Sequence, residues 1–488
     1  MRAHRLVHPD KGRFWEVHWE GLEAETTAGV LGTNGRSTSK AFATPRETDA
    51  WVEQQLGKKR KEGFVELTQP GQAAAPPSAD LGALLEQIIA RPDDDGLRAV
   101  YADQLSASGD ARGEFINVQL QLQRAPTPMH QHRERELLER FRVAWSQGLR
   151  GVDLRYERGF VAEAHLRFEE LEQHAARLWV VAPLLSRLHV NTDFGSRAAE
   201  ALAAVLAQPG ASRLRELHLN FLHGGPVRVT EALRADALAG LVALSIRRLG
   251  LTDVEWLDLL GERFAHLVRV DVRNNVLSSA SLSALVRRPL RALDFRNNRL
   301  GESSAQALAR VPQWRGLERL VLSGNGIGNA GLRVLAGAED LVALKSLGLS
   351  EVRALPSGIE ALGKAAFAAQ LESLELSGND LRAEGVRAVL GGAFPALTSL
   401  DLSEAMLGDE GLAALLDSPG AARLTELELK KNAISTRGAE RLAAARLPSL
   451  TALNLSGNPL GDAGIDALKR AYPGIRLNTR GGRLDPDA

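Results

Sequence analysis

Apolar residues, most of them leucine, recur in a fixed pattern through more than half of the chain. The repeating unit is LxxLxLxxNxL, and consecutive units begin 23 to 29 residues apart. A period held over this many units is typical of a stacked internal repeat. The first leucines of the eleven units are Leu185, Leu214, Leu241, Leu267, Leu290, Leu317, Leu344, Leu371, Leu397, Leu424 and Leu450.

Each unit predicts one strand, a turn and one helix. Its opening residues alternate between apolar and polar, which is typical of a strand with one buried face. Its closing residues place apolar side chains at helical spacing, as in the segment 331–336. One unit cannot bury its apolar side alone, so the stacking of neighbouring units must supply the core.

Asparagine occupies the ninth position of six units, at Asn275, Asn298, Asn325, Asn379, Asn432 and Asn458. A side-chain amide has both donors and an acceptor, so it can satisfy backbone groups in the turns of successive coils. The series is interrupted at Leu222, Leu249, Val352 and Ala405, where we expect irregular turns.

This pattern resembles the ribonuclease-inhibitor-type leucine-rich repeats. The resemblance covers residues 185–479 and implies an α/β solenoid, or horseshoe, with a curved parallel sheet inside and convex helices outside. Members of that group are protein-binding scaffolds or regulators of small GTPases. The resemblance therefore implies that residues 185–479 bind a macromolecule rather than catalyse a reaction.

Two short motifs within the repeats imitate nucleotide-binding loops. Gly326, Gly328 and Gly331 spell GxGxxG after a strand, the arrangement of a dinucleotide site. However, a glycine recurs at the phase of Gly331 in four further units, at Gly385, Gly411, Gly438 and Gly464. We therefore interpret Gly331 as a packing residue. The segment 358–365 approaches a phosphate-binding loop, but Ala365 stands where the magnesium-holding Ser or Thr is needed. No cofactor is predicted.

The first 67 residues form a separate block. Trp15, Val17 and Trp19 alternate as in a strand, the segment 32–35 predicts a hairpin turn, and helical spacing follows over residues 45–61. A strand over 63–67 would close the block. The segments Phe14-Trp15-Glu16-Val17, Gly32-Thr33, Lys40-Ala41-Phe42 and Lys61-Glu62-Gly63-Phe64 resemble a WGR domain.

The WGR resemblance implies a small α+β domain, which in DNA-break-sensing members contacts nucleic acid. The tryptophan and arginine of the family motif are missing, because that place reads Ala28-Gly29-Val30. The block carries 11 basic and 10 acidic residues, and affinity for DNA scales with the number of phosphates neutralised. Nucleic-acid association through this block is therefore an alternative function and not the leading one.

Residues 80–147 predict several helices. Leu81, Leu84, Leu85, Ile88 and Ile89 form one apolar stripe, and the run Pro92-Asp93-Asp94-Asp95 offers a carboxylate cap. The string from Ala90 to Phe115 resembles a bacterial repeat-companion domain, which stands before repeat arrays and implies no activity. Asp103, Asp110, Arg112 and Glu114 predict a structural ion-pair network rather than a catalytic set.

The predicted organisation is a WGR-like domain (1–67), a Pro/Ala-rich linker (68–79), a helical repeat-companion domain (80–147), a cap of the solenoid beginning with a hairpin at 158–161 (148–184), the repeats (185–479) and a disordered tail (480–488). Ile475, Arg476 and Leu477 would cap the far end.

Composition excludes several kinds of function. The 60 basic and 60 acidic side chains balance, which argues against a general polyanion binder. Without cysteine, disulfides, thiolate catalysis and cysteine-based metal sites are ruled out. We find no long apolar run and no motif for a catalytic or metal site, so a cytoplasmic protein without membrane association is expected.

The third, fifth and seventh positions of each unit alternate with the leucines and should face solvent on the concave side of the sheet. Eleven strands at about 4.8 Å would extend this surface over roughly 50 Å, which suits a protein partner. His189 and His218 share the fifth position. A basic patch and an acidic patch give the predicted partner-binding residues Arg247, Arg269, Asp271, Arg273, Asp294, Arg296, Arg319, Glu375, Asp401, Glu426 and Glu428.

The leading hypothesis is thus a non-enzymatic scaffold that binds a protein partner on this face. Regulation of a small GTPase is the first alternative, and nucleic-acid association is the second. The sequence leaves the oligomeric state and the identity of the partner open.

Overall fold

The computed structural model describes residues 2–8, 13–30, 36–66, 81–146, 148–192, 198–221, 229–261 and 263–481. It divides into a first unit, residues 1–164 with 177–185, and a second unit, residues 165–176 with 186–488. The predicted hairpin turn at 32–35, the linker 68–79, Leu222 and residues 482–488 of the predicted tail lie outside the described residues. No helix in the described ranges is long and apolar enough to cross a membrane.

The first unit begins with an antiparallel sheet and one helix. The strands are β1 (Arg2–His8), β2 (Arg13–Glu20), β3 (Glu23–Val30), β4 (Arg36–Ala41) and β5 (Val65–Glu66), in the order β4-β3-β2-β1-β5. Helix α1 spans Pro45–Lys61, as predicted, and the Thr44 hydroxyl caps it by accepting a hydrogen bond from the Glu47 amide. Leu6, Val17, Val52 and Leu56 are almost fully buried between sheet and helix.

Four helices follow, α2 (Leu81–Ala90), α3 (Asp95–Ala107), α4 (Ala111–Arg124) and α5 (Pro128–Trp145), and then strands β6 (Asp153–Glu157) and β7 (Phe160–Arg167). The predicted carboxylate cap is present, because the Asp94 side chain accepts a hydrogen bond from the Leu97 amide at 3.1 Å. Ile88, Phe115 and Ile116 form part of the core.

The four charges predicted to form one network have separate roles. Asp110 caps α4 through the Arg112 amide at 2.8 Å. Glu114 pairs with Arg133 at 2.6 Å, and Asp103 is exposed. The single-network prediction is therefore wrong, because the helix geometry directs these side chains to different partners.

The second unit contains a parallel sheet. In the described residues its strands from β8 onward are β8 (Arg187–Thr192), β9 (Glu216–Phe221), β10 (Ala243–Arg247), β11 (Arg269–Asp271), β12 (Ala292–Asp294), β13 (Arg319–Val321), β14 (Ser346–Gly348), β15 (Ser373–Glu375), β16 (Ser399–Asp401), β17 (Glu426–Glu428), β18 (Ala452–Asn454) and β19 (Arg476–Asn478). Each pairs in parallel with the next. Each of the first eleven begins two residues after a predicted first leucine, and all eleven of those leucines are buried.

Short helices connect the strands, and successive helices pack side by side. The α-helices of the chain from residue 168 are α6 (Phe168–His174), α7 (Leu178–Val181, in the first unit), α8 (Ala198–Leu206), α9 (Val229–Ala232), α10 (Asp253–Leu260), α11 (Glu302–Leu308), α12 (Gly328–Ala336), α13 (Pro356–Leu362), α14 (Arg382–Leu390), α15 (Gly408–Leu416), α16 (Thr436–Ala445) and α17 (Gly461–Ala471). Single 3₁₀ turns span Pro209–Arg213, Asp236–Gly240, Pro312–Gly316, Ala368–Gln370 and Ala421–Arg423.

The unit that begins at Leu267 departs from the predicted α-helix. It is the shortest unit, since the next begins at Leu290, and it forms the 3₁₀ helix Ser279–Leu285. A 3₁₀ helix rises about 2.0 Å per residue against about 1.5 Å in an α-helix. Fewer residues therefore span the same distance.

The asparagines that recur at the ninth position of the repeats join successive coils, as predicted. The Asn432 side-chain oxygen accepts hydrogen bonds from the Ala405 and Leu407 amides, and its nitrogen donates to the Leu402 carbonyl at 2.7 Å. Asn275, Asn325, Asn379 and Asn458 make equivalent bonds. These amides satisfy backbone groups that stacking removes from water.

Leu249, Val352 and Ala405, where the sequence predicts irregular turns, are all buried. The strands of these repeats keep the parallel register of the sheet. At two of these turns a backbone bond joins the coils, from Gly328 to the Val352 carbonyl and from Arg382 to the Ala405 carbonyl.

The last glycine of the GxGxxG motif is a packing residue, as predicted. A Cβ on Gly331 would lie 2.7 Å from Ile327 and 3.5 Å from Ala305 of the preceding helix, so close packing requires this glycine. The second motif begins within α13 (Pro356–Leu362), where the neighbouring repeats also have their helices.

Candidate functional site

The face of the second unit's sheet opposite the leucines carries the third, fifth and seventh positions of the repeats, and we call it the open face. Its fifth-position row is aligned across neighbouring strands from β8 to β18. That row is His189, His218, Ser245, Asp271, Asp294, Val321, Gly348, Glu375, Asp401, Glu428 and Asn454. Arg269, Arg319 and Glu426 lie in the aligned third-position row.

The predicted basic patch is an ion-paired lattice. Arg273 Nη2 lies 2.8 Å from a carboxylate oxygen of both Asp271 and Asp294. Arg247 Nη2 lies 2.7 Å from the same oxygen of Asp271, and Arg269 reaches Glu216 at 2.8 Å. Since each arginine has a carboxylate partner, this part of the open face presents less positive charge than the sequence predicts.

Burial affects the acids of this lattice differently. Desolvation raises the pKa of Asp294, which is 8% exposed, although the Arg296 amide donates a hydrogen bond to it. Glu216 is more exposed, and a hydrogen bond from His218 together with the charge of Arg269 lowers its pKa to about 2. Glu216 therefore remains ionised over the physiological pH range.

Glu375 pairs with two arginines of the predicted basic patch, and it also lines the same depression as the other acids of the predicted acidic patch. Arg319 Nη2 lies 3.2 Å from one of its oxygens, and Arg296 Nη2 lies 3.4 Å from the other. The fifth-position residue of the intervening strand is Gly348, whose added Cβ would lie 3.3 Å from Glu375 Oε2 and 2.7 Å from Val321. The missing side chain leaves room for Glu375 to reach across, a contact that no pattern within one unit predicts.

The remaining acids, Asp401, Glu426 and Glu428, line a depression of about 440 Å³ that extends from β15 to β19. Arg476 lies 3.1 Å from Glu426. Burial raises the pKa of Glu428, and the neighbouring charges of Asp401 and Glu426 raise it further. Among the described residues that line this depression, these three carboxylates face one guanidinium, and we call this surface the acidic depression.

A row of histidines at the other end of the open face was only partly foreseen. The rings of His165 and His189 stack with centroids 4.1 Å apart, and those of His189 and His218 are 4.2 Å apart. His189 and His218 share the fifth position of their repeats. His165 precedes the first repeat and therefore has no position in the repeat pattern. The repeat pattern could not predict His165 because this residue lies outside the repeats in the sequence.

Comparison with known proteins supports the repeat assignment. The family model described as leucine-rich repeat matches residues 317–336, 370–390, 395–416, 423–443 and 446–469. No curated protein matches this sequence.

Several solved structures are similar to the chain. The complex of Rad7 and Elc1 from yeast shows 16% identity and a TM-score of 0.49, over 83% of this chain and 99% of the other. An internalin from Listeria monocytogenes shows 16% identity and a TM-score of 0.39, over 70% and 94%. A Bacteroides fragilis protein shows 13% identity and a TM-score of 0.32, over 94% and 97%. These scores are too low to add to the family match, and it is the matched segments that show leucine-rich repeats in residues 317–469 of this chain.

Proposed function

We propose that this protein is a non-enzymatic scaffold that binds a protein partner on the open face, which we take to be the concave face of the repeats. The proposal depends on the alignment of polar side chains over consecutive strands of the second unit's sheet. An aligned surface of this length offers an area suited to a folded partner. The predicted partner-binding residues all belong to it.

The acidic depression is the part of the open face best placed to select the partner. Each arginine of the predicted basic patch has a carboxylate partner, and these arginines are Arg247, Arg269, Arg273, Arg296 and Arg319. By contrast, the described lining of the acidic depression offers Asp401, Glu426 and Glu428 one cation, Arg476. Excess charge of one sign attracts a partner of the other sign and excludes partners of the same sign. We therefore expect the partner to present lysine or arginine side chains to this depression.

Neutralising the depression tests the proposal. The variant Asp401→Asn with Glu428→Gln keeps the side-chain shapes and removes two negative charges. We expect the full-length native protein to recover a protein partner from extracts of its own cells, identified by mass spectrometry, and the variant to bind that purified partner about tenfold or more weakly, since each 1.4 kcal/mol is a factor of ten.

A matched control removes the same number of negative charges from the helices instead. Glu384→Gln with Glu410→Gln alters exposed residues of α14 and α15, and we expect it to bind as the native protein does. Equal binding by both double variants and the native protein would contradict the role of the depression. Reversing Arg273 and Arg296 is a poorer test, because it would place new acids beside Asp271, Asp294 and Glu375 and disturb folding.

A further inference from the structure

We propose that His189 and a neighbouring histidine of the row His165, His189 and His218 bind a divalent transition-metal ion such as Zn²⁺ or Ni²⁺. The three imidazoles lie in a continuous row on the open face, and each is partly exposed. Ligand nitrogens of His165 and His189 lie within 4.8 Å of one another. His189, in the middle, has a histidine neighbour on each side.

The sheet sets the spacing of these ligands. His189 and His218 are register partners on neighbouring strands, and such strands lie about 4.8 Å apart. Two imidazole nitrogens that each bind one ion at about 2.0–2.1 Å need to converge to somewhat over 3 Å from each other. The backbone therefore brings the ligands close to the required distance without any movement of strands.

The side chains need one adjustment to bind. The rings are nearly parallel, with interplanar angles of 8° and 7°, whereas a ring nitrogen binds a metal in the plane of its own ring. Rotation about χ2 of histidine is a soft torsion with broad minima, so one ring of a pair turns towards the ion at small cost.

The surroundings supply the groups that usually support a histidine ligand. Glu216 accepts a hydrogen bond from His218 Nε2 at 3.3 Å, and a carboxylate of this kind orients the ring and leaves Nδ1 for a metal. The histidines line a depression of about 270 Å³ together with Asn191, Asn220, Ser245 and Arg247.

Ser245 provides an independent indication of a ligand. Its side chain is 1% exposed, and its hydroxyl has no hydrogen-bond partner among the described residues. It is the register partner of His218 on the next strand and lines the same depression. A buried hydroxyl that lacks a protein partner requires another polar group, and a water bound to the ion would satisfy it.

The ligand chemistry determines which ions bind. Imidazole nitrogen suits zinc, copper and nickel, whereas magnesium and calcium prefer oxygen ligands. Imidazole must also be neutral to bind a metal, so the affinity should fall as the pH is lowered.

Titration calorimetry of the tag-free full-length protein with ZnCl₂, NiCl₂ and MgCl₂ tests the proposal. We expect one Zn²⁺ or Ni²⁺ per chain at this site, no comparable binding of Mg²⁺, and weaker binding at acidic pH. Both His189→Ala and His189→Asn should weaken the affinity for Zn²⁺ about tenfold or more, because ligand loss reduces metal affinity at least as much as loss of a supporting group.

Two controls separate this site from other histidines and from unfolding. His266→Ala removes an exposed histidine of the same unit and should leave the affinity unchanged. Zn²⁺ should raise the melting temperature of the native protein and of the His266 variant, but not that of the two folded His189 variants. If the His189 variants bind Zn²⁺ as tightly as the His266 variant, or if Mg²⁺ binds equally well, the proposal is wrong.

Discussion

At the scale of single residues, a buried side-chain amide at the turn of a repeat contributes hydrogen bonds to the stability of the fold. Asn432 is fully buried and bonds to backbone groups of two coils. The equivalent position of the preceding unit is Ala405, also fully buried, so an alanine fits this place sterically. What the asparagine adds is therefore hydrogen bonding and not volume.

We predict that Asn432→Ala lowers the free energy of unfolding by roughly 2–4 kcal/mol, since it leaves buried backbone amides and a carbonyl without partners. Urea unfolding of the full-length protein measures this change. The control Asn191→Ala removes an exposed side chain that accepts one hydrogen bond from Asn220, and it should cost less than about 1 kcal/mol. Similar costs for the two variants would contradict the role of the turn amide.

The carboxylate of Glu216 predicts a pH dependence of stability. Its pKa in the folded protein is about 2, below the ordinary value of 4.5. A depressed folded pKa contributes stability that is present above about pH 4.5 and is lost as the pH falls towards 2. Melting temperatures measured across this window should therefore decline less steeply for Glu216→Gln than for the native protein.

The matched control for this experiment is Glu384→Gln, an exposed change of the same charge on α14. Its melting temperature should follow the native curve throughout the acid range. A Glu216 variant with the same slope as the native protein would show that His218 and Arg269 do not hold this carboxylate ionised.

At the scale of elements, the repeated glycine allows a helix to begin close to the turn that precedes it. A Cβ on Gly385 would lie 2.5 Å from the Cβ of Leu381, whereas no heavy atom lies within 4 Å of the equivalent point at Gly57 in α1. Both glycines are helical. They therefore separate the effect of packing from the effect of helix propensity.

We predict that Gly385→Ala destabilises the second unit by about 1–3 kcal/mol, because an overpacked site must shift its neighbours. Gly57→Ala should instead stabilise α1 by up to about 1 kcal/mol, since alanine is the better helix former. Hydrogen exchange of the two helices, measured separately, checks both signs. A stabilising Gly385→Ala would show that the packing interpretation is incorrect.

At the scale of the whole molecule, stability in a repeat array is a sum of contributions from each unit and from contacts with its neighbours. Leu400 is 1% exposed and lies in register between Leu374 and Leu427. A cavity at this point therefore affects two interfaces at once, while units further along the array keep their own contacts.

We predict that Leu400→Ala costs about 2–5 kcal/mol and that hydrogen exchange rises most in β15, β16 and β17. Exchange in the core around Leu6 and Val17 of the first unit should stay unchanged. Ser399→Ala, on the open face of the same strand, is the control and should change stability by less than about 0.5 kcal/mol. A uniform rise in exchange over the whole chain would contradict local cooperativity.

The regular spacing of leucines in the sequence determined many of the structural elements of this protein. The eleven first leucines, the turn asparagines and helix α1 follow from local periodicity, because strands repeat every two residues and helices every 3.6. The same phase assigned Asp271, Asp294, Asp401 and Glu428 to one row, which the strand pairing shows.

Only the tertiary structure decided which of those side chains meet. Glu375 reaches Arg296 and Arg319 past Gly348, and His165 joins His189 although it precedes the repeats. Periodicity depends on neighbours along one strand, whereas ion pairing and ring stacking depend on distances between strands and on the space that intervening side chains leave. For this reason the sequence predicts which residues line the surface, and the fold determines which of their charges pair and which of their rings stack.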